Sequence, residues 1–381
     1  MSGFGPLGTV LIYIVPFLFV LTVVVFFHEL GHFLVGRWCG VKVDTFSLGF
    51  GPEICAFVDR KGTRWRLAAL PLGGYVKFHG DANAVSGTKS DDAPLMSATE
   101  RSVTFFGQPV WKRAAVVAAG PIANFILAIV IFSVLFFSLG RPVLLPRVDA
   151  VTPGSAAAIA GFKPGDIVIA IEGRPIENFA DMQRIVSVSA DTPLSFVVNR
   201  EGVATTLEAT PRLKELSTPL GKTRIGLLGV EAGSHHEDWR TEHYGLFGSI
   251  RLAGQETWYV IDRTMSYVGG LFLGRESPDQ LSGVIGTAQV AGEMAKLGFG
   301  AVLNLAAILS ISIGLLNLFP IPLLDGGHLM YYAIEALRGR ALNERAQEYG
   351  FRLGLAIVCG LMIFATYNDL ARITRQLMHW G

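Results

Sequence analysis

Residues 11–32 read LIYIVPFLFVLTVVVFFHELGH, an apolar run about as long as a bilayer is thick that ends on two histidines and a glutamate. His28, Glu29 and His32 are among the costliest side chains to place in hydrocarbon, so something must compensate them. On a helix, positions four apart share a face one turn apart, so His28 and His32 can offer two imidazoles to one metal ion with Glu29 beside them. This is the arrangement of zinc hydrolases. Neutral imidazoles and a carboxylate hold the ion, water takes the fourth position, and a glutamate that is no ligand accepts that water's proton. Glu29 is the candidate base, and a third ligand must come from elsewhere.

The rest of the chain supports a membrane setting. Of 381 residues, 51% are hydrophobic and only 17% charged, and the mean hydropathy is +0.44, too apolar for an ordinary soluble enzyme. A net charge of +1 with no dominant basic cluster argues against nucleic acid as a partner. Cys39 and Cys55 follow the first apolar segment and Cys359 lies in the last, a spacing that suits neither a disulfide framework nor a cysteine zinc cluster.

Four apolar runs are long enough to span: 7–35, 114–139, 299–318 and the shorter 351–367. The first lacks a basic leader and a small-residue cleavage site, so it is read as retained. Arg60, Lys61, Arg64, Arg66, Lys112 and Arg113 crowd the loop after span one, and Arg338, Arg340 and Arg345 the loop after span three. The positive-inside rule makes those loops cytoplasmic and puts the central region and both termini outside, in a bacterial inner membrane the periplasm. Residues 252–274 are apolar but carry Glu256, Asp262 and Arg263, which suits an interfacial amphipathic helix better than a fifth span.

Between spans two and three the texture changes. RVDAVTPGSAAAIAGFKPGDIVIAIEGRPI, residues 147–176, reads as a strand, a short helix, a Pro-Gly turn and an alternating strand. A second helix at 178–187 and a hairpin around Arg200 to Gly202 follow. The stretch resembles a PDZ domain through GFKPGDIVIAIEGRPI, and that resemblance implies capture of an extended peptide at a sheet edge. The alternative is a spacer that only packs on the membrane part. Residues 83–101, rich in Ser, Ala, Thr and Asp, read as a cytoplasmic loop.

The third ligand is sought in NLFPIPLLDGGH, residues 317–328, where Asp325 follows span three. Span one running inward, span two outward and span three inward bring Asp325 to the same side as HELGH, whereas a fifth span at 252–274 would separate them. A turn-forming Asp before Gly326 and Gly327 is the bland alternative. His328 is another possible ligand, read instead as a polar residue of the same loop.

HELGH in the first span, GPIANF at 120–125, the central domain and NLFPIPLLDGGH together resemble the site-two protease family of intramembrane metalloproteases, in particular its bacterial regulator-of-sigma-E (RseP-type) branch. The resemblance implies Zn2+ held by His28, His32 and Asp325, with Glu29 as base. It implies cleavage within or beside a transmembrane helix of a single-pass membrane protein such as an anti-sigma factor, already trimmed outside by a site-one-type protease. It maps Asn124 and Asn317 onto positions that orient the substrate or its oxyanion. Two departures stand out: one PDZ-like domain where enterobacterial members carry two, and LSGV at 281–284 where the family has a proline.

A membrane helix must be locally unwound before water reaches a carbonyl, and a strand edge assists by pairing with it. RWRLAALPLGGYVKF, residues 64–78, is read as a β-hairpin turning at Gly73 and Gly74, with Gly73, Gly74 and Tyr75 pairing with the substrate; the resemblance implies such a membrane-associated element. The expected architecture is an α-helical polytopic membrane protein with about four transmembrane helices, this hairpin and one inserted PDZ-like α+β domain. Its divisions are 1–140, 141–213, 214–298 (a linker with the amphipathic segment) and 299–381. A non-catalytic scaffold binding peptides through the PDZ-like domain is the runner-up. A metal-ion transporter is a poorer match, because residues 307–316 offer only small hydroxyls. A membrane zinc protease of another kind would commonly take its third ligand from a glutamate.

Overall fold

The computed structural model describes residues 6–80, 97–218, 221–233, 238–274, 276–278 and 281–378. Most of the loop expected at 83–101 lies outside the described residues; its end, from Ser97, caps a short helix. The chain begins with α1 (Pro6–Trp38), β1 (Val43–Val58), β2 (Arg64–Phe78), α2 (Ala98–Ser102) and α3 (Val110–Ser138). The central part holds β3 (Arg141–Leu144), β4 (Ala150–Val151), α4 (Ala156–Ala160), β5 (Ile167–Ile171), β6 (Arg174–Pro175) and α5 (Phe179–Val188). It continues with β7 (Leu194–Arg200), β8 (Val203–Ala209), β9 (Arg212–Thr218), β10 (Gly221–Leu227), β11 (Val230–Glu231) and β12 (Trp239–Glu242). Helices complete it: α6 (Leu246–Phe272), α7 (Val284–Leu297), α8 (Phe299–Asn317), α9 (Asp325–Arg338) and α10 (Glu344–Met378).

Among the described residues four helices are long and apolar enough to cross a membrane: residues 11–38, 110–138, 299–317 and 345–375. Long aliphatic and aromatic runs can enter hydrocarbon only with every backbone polar group satisfied internally, which the helix does. Outward-facing Ile126, Val130, Phe137, Leu353 and Ile363 are what a lipid-facing surface requires. Helix α6, with its four charges (Arg251, Glu256, Asp262 and Arg263), is not one of the four, in line with the count expected.

Two compact units emerge, one of residues 1–133, 250–264 and 282–381, the other of residues 134–249 and 265–281. In the first, β1 and β2 fold against α1. Thr45 to Leu48 pair with Lys77 to Gly74 on one side and with Arg64 to Leu67 on the other, while Glu53 to Val58 pair with Ala68 to Arg64. The two arms of 64–78 therefore do not pair with each other as the expected hairpin would. Residues 43–48 lie between them, because Val43 and Phe46 of that segment seat the sheet on α1 beside Phe33 and Val76. Gly73, at φ +144°, serves a close approach: a Cβ there would come within 2.5 Å of the Phe50 ring.

The tight turn is Asp59 to Thr63. The Asp59 carboxylate accepts N–H bonds from Lys61 (2.9 Å) and Thr63 (3.0 Å), the indole N–H of Trp65 (3.2 Å) and the Arg37 guanidinium. Burial works against ionisation, but these donors prevail and hold the carboxyl at about 2. A carboxyl depressed in the folded state contributes stability above its unfolded value, about 3.9, and loses it as pH falls through the folded one. Protection of amides 59–63, meaning exchange relative to the intrinsic rate at each pH, is accordingly expected to fall between about pH 4 and pH 2, and Asp59→Asn to abolish that acid-dependent step. Protection that is flat over this range in the unmodified protein would overturn the assignment.

The second unit has an antiparallel sheet of order β6-β5-β7-β8. Val168, Ile171, Phe196 and Val198 of the sheet bury against Ala156 and Ala157 of α4 and Met182 and Val186 of α5. Buried Asp166 receives two 2.7 Å bonds from Arg200, which tie the start of β5 to the end of β7. Three further antiparallel pairs, β9 with β10, β4 with β11 and β3 with β12, complete it.

Candidate metal centre

HELGH sits in the second and third turns from the end of α1, with His28 and His32 on one face. Their rings are 4.9 Å apart at 85°, and the two Nε2 atoms are 3.3 Å apart. Asp325 opens α9, and its Oδ2 lies 3.2 Å from His28 Nε2 and 3.6 Å from His32 Nε2. One ligand atom from each of the three lies within 4.8 Å of the others. Buried Asp325 Oδ2 has no hydrogen-bond partner, so lone pairs from two imidazoles and a carboxylate converge without a proton donor to reconcile them. Two neutral nitrogens and one carboxylate oxygen at this spacing are a donor set that fits a tetrahedral zinc ion with one position left open.

The surroundings have been cleared for the rings. A Cβ on Gly120 of α3 would fall 2.3 Å from His32 Nε2 and 2.9 Å from His28 Cε1, so only glycine lets α3 pass. His32 Nδ1 donates to the Val116 carbonyl at 2.9 Å, which leaves its Nε2 as the lone-pair nitrogen. The Asn124 side-chain amide, fully buried, lies 3.2 Å from His28 Nδ1. Ser310 of α8 donates to the Asn124 carbonyl at 2.9 Å, joining α3 to α8.

The loop before Asp325 is held from several sides. Leu323 has φ +120°, a conformation in which a branched side chain is strained. Gly326 and Gly327 open the helix where any Cβ would meet the Leu318, Phe319 or Ile321 carbonyl oxygens at 2.3 or 2.4 Å. Asp-Gly-Gly thus begins a helix instead of making a turn, and the acidic group gains from the positive end of the α9 dipole. Gly354 of α10 lies so close to the Pro322 carbonyl that no side chain fits there. At the far end of α9, Glu335 takes a two-pronged ion pair from Arg113 of α3 (2.6 and 3.2 Å), whose guanidinium also covers the Tyr332 ring.

Glu29 is half-buried beside the cluster and is not one of its three members. The sheet reaches it: a Cβ on Gly74 would sit 2.9 Å from Glu29 Cγ and 2.9 Å from the Ser47 carbonyl. Tyr75 stacks on Phe50 and accepts from Arg66 at 3.2 Å. Asn317 is half-buried at the last position of α8. His328, one turn after Asp325, faces Tyr331 and is not in the three-ligand group. Val116, Ser310 and the Arg113–Glu335 pair were missed from sequence. Their roles rest on backbone carbonyls and on partners 84 to 222 residues apart, which no local motif announces.

The profile of Peptidase family M50 matches residues 16–361. A protein named "Putative zinc metalloprotease" from Agrobacterium fabrum (strain C58) is 49% identical over 362 residues, covering 95% of this chain and 96% of its own. "Metalloprotease MmpA" of Caulobacter vibrioides is 41% identical over 385 residues, covering 95% of this chain and 96% of its own. Nearly the whole chain, both metal-motif segments included, lies inside these matches. The chain therefore belongs to peptidase family M50, the site-two family of zinc-dependent membrane metalloproteases.

Proposed function

We propose that this metalloprotease cuts the transmembrane segment of single-pass membrane proteins, anti-sigma factors being the model substrate class, after a site-one-type protease has removed the outer domain. His28, His32 and Asp325 hold Zn2+, and Glu29 is the general base. The convergence of the two Nε2 atoms on the buried, unpartnered Asp325 Oδ2 carries this reading. Bound there, zinc acidifies water and polarises the scissile carbonyl.

The chain's own residues do the remaining work. Glu29 takes the proton of the attacking water and passes it to the leaving amine. The Gly74 edge beside Glu29 pairs with an unwound substrate strand, with Gly73 and Tyr75 shaping that edge. Among the described residues no other strand pairs with the outer side of 74–78, which leaves its backbone groups open to a guest. Asn317 orients the substrate. The β1–β2 sheet is membrane-associated, its outward Ile54, Phe57 and Leu70 meeting lipid or substrate. The central unit works as a PDZ-like filter at the periplasmic face, and the active site faces the cytoplasm, within the divisions 1–140, 141–213, 214–298 and 299–381.

The test is proteolysis by the purified full chain in liposomes, using a single-pass substrate lacking its outer domain. Cleavage inside the membrane segment is expected, with loss on metal stripping and return on zinc addition. Equal cleavage before and after stripping would remove the metal from the mechanism.

A further inference from the structure

We propose that Asn124 is a positioning residue for His28, fixing the ring so that Nε2 presents its lone pair to the metal; this rests on the reading of His28, His32 and Asp325 as ligands. A histidine that binds a metal through Nε2 must carry its proton on Nδ1 and needs an acceptor there. His32 has one in the Val116 carbonyl at 2.9 Å. For His28 the group in the corresponding place is the Asn124 amide, 3.2 Å from Nδ1. An amide offers either its oxygen or its nitrogen at nearly the same position, and the chemistry of the neighbour decides which.

With nitrogen toward the ring, His28 would have to accept at Nδ1 and carry its proton on Nε2, aimed at His32 Nε2 and Asp325 Oδ2. The Asn124 oxygen would then be buried with no partner. With oxygen toward the ring, Nδ1–H donates to Oδ1 and both imidazoles turn lone pairs inward. The amide NH2 becomes the end without a protein acceptor. Asn124 is itself immobilised: its side chain is fully buried, its carbonyl takes the Ser310 hydroxyl at 2.9 Å, and a Cβ on Gly314 would sit 3.1 Å from its Cβ. The GxxxN spacing of Gly120 and Asn124 thus serves one object. Glycine makes room for the rings, and four residues later, on the same face, asparagine sets the proton of one of them.

The experiment is Zn2+ and Co2+ titration of the metal-stripped full chain in detergent, for the unmodified protein, Asn124→Leu and Asn124→Asp. Leucine removes the acceptor at similar volume, and aspartate keeps it while deleting the NH2. Zinc affinity is expected to fall about 10- to 100-fold in Asn124→Leu, with an altered Co2+ visible spectrum, and to stay near the unmodified value in Asn124→Asp. Equal affinity and identical spectra in all three would overturn the proposal, since a group that only touches substrate leaves metal affinity alone. Loss in both variants would overturn it as well, because the conservative change then fails to rescue. Failure of the unmodified protein itself to bind metal would instead strike the ligand assignment beneath it.

Discussion

Glu29→Gln is expected to lower the rate of substrate cleavage by about 100- to 10,000-fold while the protein still binds one zinc ion. Glutamine has the same shape and fills the same half-buried place beside Gly74, so the packing of α1 against the sheet is kept. What disappears is the carboxylate that accepts a proton. Because Glu29 is outside the group formed by His28, His32 and Asp325, zinc content is not expected to change. Turnover and zinc content, measured on the same preparation, separate a base from a ligand. Cleavage at the unmodified rate would remove Glu29 from the chemistry, and loss of zinc would make it a ligand.

Gly120→Ala is expected to have an effect as large by a different route. On an ordinary helix this change favours folding by about 1 kcal/mol. Here the new methyl would stand 2.3 Å from His32 Nε2 and 2.5 Å from His32 Cε1, closer than real contacts allow. Helix α3 cannot easily retreat, because Ser310 holds the Asn124 carbonyl and Gly314 lies against Pro121 and Asn124. The rings must move instead, and zinc affinity is expected to fall on the order of 100-fold. Strain from one extra methyl costs about 1–3 kcal/mol, roughly the size of the helix gain, so the metal-free protein should melt close to the unmodified one. Zinc titration beside a melting curve of the stripped protein tests this. Affinity within twofold of the unmodified value would mean the rings do not need the space.

What the sequence disclosed and what it hid follow from the range of the interactions involved. HELGH and LDGG were legible because each is a short pattern whose cost in a membrane demands an explanation. The four long helices were legible by length and hydropathy alone, and the charges in 252–274 set α6 apart. The sheet was read less well. Gly73 and Gly74 suggested a simple hairpin, yet residues 43–48 insert between the two arms, a choice made by the burial of Val43 and Phe46 against Phe33 of α1. Strand order depends on such distant contacts and leaves little mark on local pattern. Likewise, nothing around Arg113 forecasts Glu335, nor anything around Ser310 the carbonyl of Asn124.

The strained Leu323 and the bare contact of Gly354 with Pro322 have a consequence for the order of events at the ribosome. HELGH is made almost three hundred residues before Asp325, and the brace at Gly354 comes later still. Synthesis runs from the N-terminus, and a strained loop relaxes unless its surroundings hold it. A growing chain with the two histidines already in the membrane therefore lacks its third donor, and then the support that aims it. With His28, His32 and Asp325 as the proposed ligands, the site cannot be complete before α9 is made, and its loop is not braced until α10 packs on Pro322.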